Sequence, residues 1–211
     1  MIAKTIKAPE AFIPPKTLVD IEPNNDEYVV LSDLHLPYQL ESVIDEIKKE
    51  HSGKTLIING DFVDAYSIST FSKRSVTTLI DEIRYANQYI KDLSRYFSEV
   101  ILLDGNHERR LYRYIESKAE ELGFFHPDSV NYYVSRRLSF GLDYLQVGES
   151  LPGVTYYDSR FLKIGDVIFT HPSDSLRSVG GVAKRVIEAA ISEGIDFRYA
   201  IIGHTHRVGL T

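Results

Sequence analysis

Two periods of apolar and polar residues alternate along the chain. Short apolar runs end abruptly in polar residues: EYVVLSDLH over 27–35, TLIING over 55–60, EVILLDG over 99–105 and FRYAIIGHTH over 197–206. Runs of this length, closed by turn residues, predict buried strands. GVTYYDSRFLKIGDVIFTH over 153–171 predicts two strands around a turn at Gly165-Asp166. Between these runs the apolar residues recur at helical spacing. Leu40, Val43, Ile44 and Ile47 predict a helix over 40–51, and Leu79, Ile80, Ile83, Ala86, Tyr89, Ile90 and Leu93 predict a long one over 75–97. Helices are also expected over 108–123 and 182–194, and one or two short helices within the aromatic stretch 124–150. Residues 1–26, with Pro9, Pro14, Pro15 and Pro23, predict an irregular arm that precedes a single domain over 27–211.

Strand and helix in alternation, then a hairpin-like pair, then helix and strand, predict an α/β layered fold with mixed β-sheets flanked by helices. At 211 residues one such domain is the default, and it can bury a substantial core. The chain has no run apolar enough to span a membrane. It has no continuous apolar segment near its start to serve as a signal peptide. With no cysteine it has neither disulfides nor thiolate ligands, and a cytoplasmic location is expected. The formal charge of −6 disfavours broad binding of nucleic acid through its backbone. An anionic substrate would need a local reversal of sign, which bound divalent cations supply.

Polar groups gather where the apolar runs end. They are Asp33 and His35 (SDLH), Asp61 and Asp64 (NGDFVD), Asn106 and His107 (DGNHE), His171 (FTHP), and His204 and His206 (GHTH). Five of the seven histidines lie at these positions; His51 and His126 do not, and both are read as structural. Functional residues in such sheets collect beyond the C-terminal ends of strands, so the five loops are expected to converge on one edge. Carboxylates, imidazoles and an amide, without sulfur, suit Mn, Fe, Zn, Ni or Mg, often as a pair of ions.

The ordered set D-x-H, G-D-x-x-D, G-N-H-E, H and G-H-x-H resembles the calcineurin-like metallophosphoesterase superfamily, over residues 29 to 206. The resemblance implies two divalent metals, Mn, Fe, Zn or Ni. Asp33, His35 and His206 would hold the first. Asn106, His171 and His204 would hold the second, and Asp61 would bridge them. It further implies that His107 protonates the leaving group with Asp64 behind it, and that hydroxide formed at the metals attacks phosphorus. The phrases SDLHLP and NGDFVDAYSISTFSK resemble phage and bacterial members more than the Ser/Thr protein phosphatases. That branch has Arg-Gly after G-D-x-x-D and uses the Arg to hold phosphate, whereas Ala65-Tyr66 stands here. Arg109, Arg110, Arg113 and Arg177 are the candidate replacements. GNHE departs from the commoner GNHD but keeps the carboxylate, and THP departs from a Gly-flanked His. Family members usually continue with another strand after GHTH, so a trimmed end or an edge covered by an oligomeric partner is expected.

Outside this set, HSGK over 51–54 lacks the spacing of a phosphate-binding loop. The loop from Pro172 to Gly180, before the helix at 182, reads equally as a phosphate cradle or a hinge. The tyrosine pairs 112 and 114, 132 and 133, and 156 and 157 read as cover for apolar surface. The expected activity is therefore hydrolysis of a phosphomonoester or phosphodiester, nucleotide-like or at a nucleic-acid end. The alternatives are a nuclease, and a non-catalytic metal-binding scaffold of the same fold.

Overall fold

The computed structural model describes residues 16–22, 27–70, 77–110, 113–114, 151–173 and 180–206. In chain order the described elements are β1 (Lys16–Ile21), β2 (Tyr28–Leu31), α1 (Glu41–Glu50), β3 (Thr55–Asn59), a 3-10 turn (Tyr66–Ile68), α2 (Leu79–Leu93), β4 (Glu99–Leu103), β5 (Val154–Tyr157), β6 (Ser159–Ile164), β7 (Val167–Thr170), α3 (Gly181–Ser192) and β8 (Tyr199–Ile202). They form two four-stranded sheets. One has the order β2-β3-β4-β5 and is wholly parallel; the other has the order β1-β6-β7-β8 and is parallel except for the antiparallel β6-β7 hairpin. Among the described residues no helix is long and apolar enough to cross a membrane.

Strand alternation explains the layers. Successive side chains of β3 and β4 point to opposite faces. Leu56, Ile58, Val100 and Leu102 pack with Ile83, Ala86, Ile90 and Leu93 of α2 and Ile44 of α1. Their neighbours Ile57, Ile101 and Leu103 face the other way, against Leu162, Ile164 and Phe169 of the second sheet. That sheet turns Phe161 and Ile168 outward onto Val182, Val186 and Ala190 of α3. Buried on both faces, the central strands β3 and β4 read as unbroken apolar runs, as expected of a covered parallel sheet. The helix stripes are narrower than the spacing suggested. Leu40, Val43 and Ile80 are exposed. On α1 the next core position after Ile44 and Ile47 belongs to Lys48, whose ammonium lies over the rings of Tyr89 and Tyr96 and 2.9 Å from Asp92.

Three expectations are corrected. The proline-rich arm contains a strand: Lys16–Ile21 runs parallel to β6, with Val19 and Ile21 packed between the sheets and Leu18 on the α3 side. Lys16–Ile21 itself contains no proline, and β1 is an edge strand. The segment 153–171 holds three strands rather than two. The chain leaves one sheet after β5 and enters the other at β6, with Asp158 between them. The five polar loops also converge from two facing sheets, three from β2, β3 and β4 and two from β7 and β8, rather than from one. The Gly165-Asp166 turn joins β6 to β7 as expected, with Gly165 at a φ of 55°. The helix expected over 108–123 and those within 124–150 lie largely outside the described residues.

One buried polar residue ties the sheets together. Asn59, at the end of β3, donates from Nδ2 to the carbonyls of Thr170 (3.1 Å) and Ile201 (3.3 Å) in the opposite sheet. Its own carbonyl accepts from Ser32 Oγ (2.9 Å) and His171 Nδ1 (2.6 Å). Asn59→Ala would leave buried acceptors short of partners, at a cost of about 1–3 kcal/mol. The expected outcome is a lower urea midpoint with an unchanged slope; an unshifted midpoint would show that these bonds do not hold the sheets in place.

Candidate metal centre

The first polar loop continues the β2-β3 ladder beyond the strands. Asp33 N donates to Gly60 O (3.2 Å), His35 N to Asp61 O (2.9 Å) and Leu36 N to Phe62 O (2.9 Å). SDLHL and NGDFV therefore descend side by side. The backbone does so in an unusual conformation: Asp33, His35, Asp61, His204 and His206 all have positive φ, between 49° and 79°. Each such residue costs roughly 1–2 kcal/mol when not glycine, and Asp and His are among the types that tolerate it best. Left-handed turns aim successive side chains inward instead of to alternate faces, and strain of this kind collects at functional sites.

Close approach does the rest. A Cβ on Gly105 would collide with the backbone nitrogen and Oδ1 of Asp61, and one on Gly203 with Ser32 Oγ and the His171 ring. Glycine at these points lets the β4 and β8 loops reach the β3 loop. Glu108 then locks the junction. Its buried carboxylate accepts from Asp61 N (3.1 Å), Val63 N (3.0 Å) and Gly105 N (2.9 Å). A second buried carboxylate, Glu82 on α2, accepts from Tyr66 N (2.8 Å) and Ser67 N (2.9 Å) at the far end of the same loop.

The result is three overlapping groups whose ligand atoms lie within 4.8 Å of one another: Asp33 with His35 and His206; His35 with Asp61 and His107; Asp61 with His171 and His204. Asp61 is 1% exposed. Its Oδ1 accepts from His107 N (2.9 Å), and its Oδ2 faces His171 Nε2 at 3.0 Å, with His107 Nε2 at 3.7 Å and His35 Nε2 at 3.9 Å. His206 stacks on His35 and reaches Asp33 Oδ1 at 3.2 Å, while the backbone N–H of His204 donates to both Asp33 oxygens. Asn106 follows Gly105, and its Oδ1 is buried without a hydrogen-bond partner.

These donors fit a cation. His171 Nδ1 faces the carbonyl of Asn59, an acceptor only, so that nitrogen carries the proton and Nε2 aims its lone pair at Asp61. His35 Nδ1 lies 3.2 Å from Asp64 Oδ1, which turns Nε2 toward Asp33, Asp61 and His206. Lone pairs that face one another require positive charge between them, as metal or as protons. An orphaned amide oxygen beside them is a further acceptor for such a charge.

His107 sits behind this cluster. Its Nδ1 is 2.8 Å from Asp64 Oδ1, and Arg110 places one guanidinium nitrogen 2.7 Å from His107 Nε2 and another 2.7 Å from Asp64 O. Arg109 points elsewhere, to buried Asp104 (2.5 Å) and to Asp158 (3.7 Å), and Tyr156 also bonds Asp104. Arg113 is exposed, and Arg177 lies outside the described residues. The stretch from Pro172 to Gly180 is described only at its ends, and the tyrosines at 112, 132 and 133 lie outside as well, as does His126. The motif reading left Glu108, Arg110, Asn59 and Glu82 without these positioning contacts. Asn59 carried a signal, a single amide closing an otherwise apolar buried strand. Glu82, one acid among several on a polar-rich helix, carried none.

Burial opposes charge on every group here, and the outcome depends on the partners. For His35 the bond to Asp64 and the charges of Asp61, Asp64 and Asp33 outweigh burial and raise its pKa. For His171, Asp61 and the Asn59 carbonyl do the same. Burial and the neighbouring His171 lower His204. Asp61 and Asp64 are held below the usual carboxylate range despite burial, by His171 and His107 and by His107, His35 and Arg110. Burial, with Asp61 close by, pushes Glu108 up to about 6. In the window above pH 6.5, the ordinary imidazole value, the acids Asp61 and Asp64 are thus already ionised while His35 and His171 still hold protons. A raised histidine stabilises the fold below its ordinary value and ceases to as pH rises through its folded one. A metal must displace these protons. The metal-free protein is expected to lose thermal stability as pH rises above 6.5, while the gain on adding Mn grows. Calorimetry in two buffers should show proton release on binding, and its absence would contradict the assigned protonation.

A family model described as calcineurin-like phosphoesterase matches residues 27–208, a span that contains every loop of the cluster. Comparison with curated proteins and with solved structures returns no match. The order of the motifs, the paired sheets and the Asp61-centred cluster agree with that match, and the chain belongs to the calcineurin-like phosphoesterase family.

Proposed function

We propose that the protein is a dinuclear metal-dependent hydrolase of a phosphomonoester or phosphodiester, the two metals sharing Asp61. The observation that carries this reading is that buried Asp61 stands between two ligand groups, one reached through His35 and the other through His171 and His204. Asp33, His35 and His206 would hold one ion, and Asn106, His171 and His204 the other. When bound, a divalent pair lowers the pKa of a water and offsets charge that develops on the phosphoryl oxygens. Manganese, iron, zinc and nickel all match the donor set.

The chain's own residues supply the proton. Asp64 accepts a hydrogen bond from Nδ1–H of His107 and fixes the ring; in the imidazolium form Nε2–H then passes its proton to the leaving oxygen, which leaves the neutral ring with its proton on Nδ1. Arg110, already beside Nε2, offers guanidinium hydrogens where a phosphate oxygen arrives. Ala65-Tyr66 after the second motif supports a place outside the protein-phosphatase branch. In that reading Arg110 takes over the role of that branch's arginine.

The test is hydrolysis of p-nitrophenyl phosphate and bis-p-nitrophenyl phosphate by stripped protein reconstituted with Mn, Fe, Zn or Ni. Asp61→Ala is expected to lose metal retention and at least about 100-fold in turnover, since even residues that only support ligands cost 10–100-fold. Retained turnover would refute the shared-ligand assignment, and no turnover with any metal in the parent protein would favour the non-catalytic scaffold. His107→Ala should cost about 100- to 10,000-fold on an alkyl phosphate, whose leaving group needs a proton, and far less on p-nitrophenyl phosphate. Equal losses on both would remove His107 from the acid role.

A further inference from the structure

Beside the metal centre lies a cavity of about 370 Å³. His171 contributes to one wall, and its buried ring lies behind that wall, against Asp61. Arg109, Arg160 and Arg185 contribute to the lining, with Val182 and Val186 of α3. No Asp or Glu among the described residues lines it, in a chain whose formal charge is −6. The carboxylates that pair with these arginines stand outside the lining: Asp104 and Asp158 hold Arg109, and Glu193 holds Arg160 at 2.7 Å. Phe161 lies beneath the Arg160 guanidinium, 5.3 Å from it. Two of the forks are thus fixed in place before any ligand arrives, which lowers the ordering cost of binding. Guanidinium presents a planar set of donors that matches a phosphate better than an ammonium does. The volume falls within the range of small-molecule sites, about 300–1,000 Å³.

We infer that this cavity is a second anion subsite, which takes a phosphate of the substrate other than the one hydrolysed. The inference rests on the phosphoesterase reading and narrows it to small substrates that carry two phosphate groups. The reacting ester sits at Asp61, the linker crosses His171, and the distal phosphate enters among Arg109, Arg160 and Arg185, with the two valines against the apolar part of the linker.

Two binding measurements test this, and neither requires turnover. In the first, the metal-free full chain is titrated calorimetrically with inorganic phosphate. Without metal the Asp33, Asp61 and Asp64 carboxylates repel phosphate from the reacting position, so binding there is disfavoured. One phosphate per chain is expected, weakened at least about tenfold by Arg185→Gln and by Arg160→Gln. Both side chains are exposed, so the core is spared. No binding by the parent chain, or equal binding by both variants, overturns the subsite. In the second, the Mn-loaded chain is titrated with alkane-α,ω-bisphosphonates of increasing length and with the matching monophosphonates, none of which has an ester to hydrolyse. A preference of at least about tenfold for one bisphosphonate, lost in both variants, is expected. Equal affinities across the series, or a preference that survives the substitutions, would sink the proposal. The first measurement is independent of metal, so absent hydrolysis and an absent subsite are read separately.

Discussion

Acceptor atoms gathered around one point repel one another, and everything else at this end of the molecule holds them there. Asp61 is the centre of that constraint. It is buried, it is bound on one oxygen by the His107 backbone, and its other oxygen faces the nitrogens of three imidazoles. A carboxylate in that position is costly unless positive charge accompanies it. Protons on His35 and His171 supply that charge in the metal-free chain, and the donor set is suited to cations that would replace them.

The fold meets the cost with backbone geometry more than with side chains. Two sheets face one another, and Asn59 joins them by bonds to Thr170 and Ile201 on the opposite side. Three loops then arrive from one sheet and two from the other. Left-handed turns at Asp33, His35, Asp61, His204 and His206 aim these side chains inward, and the carboxylates of Glu108 and Glu82 grip the intervening N–H groups. Strain at the clustered side chains and satisfied hydrogen bonds around them belong together, because such conformations persist only when their surroundings over-determine them. Glycine at 105 and 203 permits the contact, since any side chain there would occupy space taken by Asp61 or His171.

Much of this was legible along the chain. The apolar runs marked the buried strands because parallel strands covered on both faces carry no polar alternation. The polar clusters at their ends marked the loops that converge, because loop positions beyond strand ends are the ones free to carry polar groups. The arm misled because Pro14 and Pro15 say nothing about Lys16–Ile21, whose strand partner, β6, is distant in the chain. The break at Asp158 was hidden for the same reason: VTYY and SRFLKI read as one run until their partners, β4 and β1, are known. Leu40, Val43 and Ile80 matched the helical period yet lie exposed, because period alone does not reveal where the facing surface ends.

The sequence by itself marked the polar residues that the fold gathers, since carboxylates, imidazoles and an amide close successive apolar runs. It also determined the layered α/β class, since period and run length depend on local geometry alone. Only the tertiary structure decided that the clustered residues come from two sheets, that Asp61 stands between the groups and that Arg109 binds Asp104 while Arg110 binds His107. Adjacent arginines have the same composition and nearly the same position in the chain. Their different partners arise from which way each side chain leaves the turn and which carboxylate or imidazole, brought from elsewhere in the fold, lies within reach.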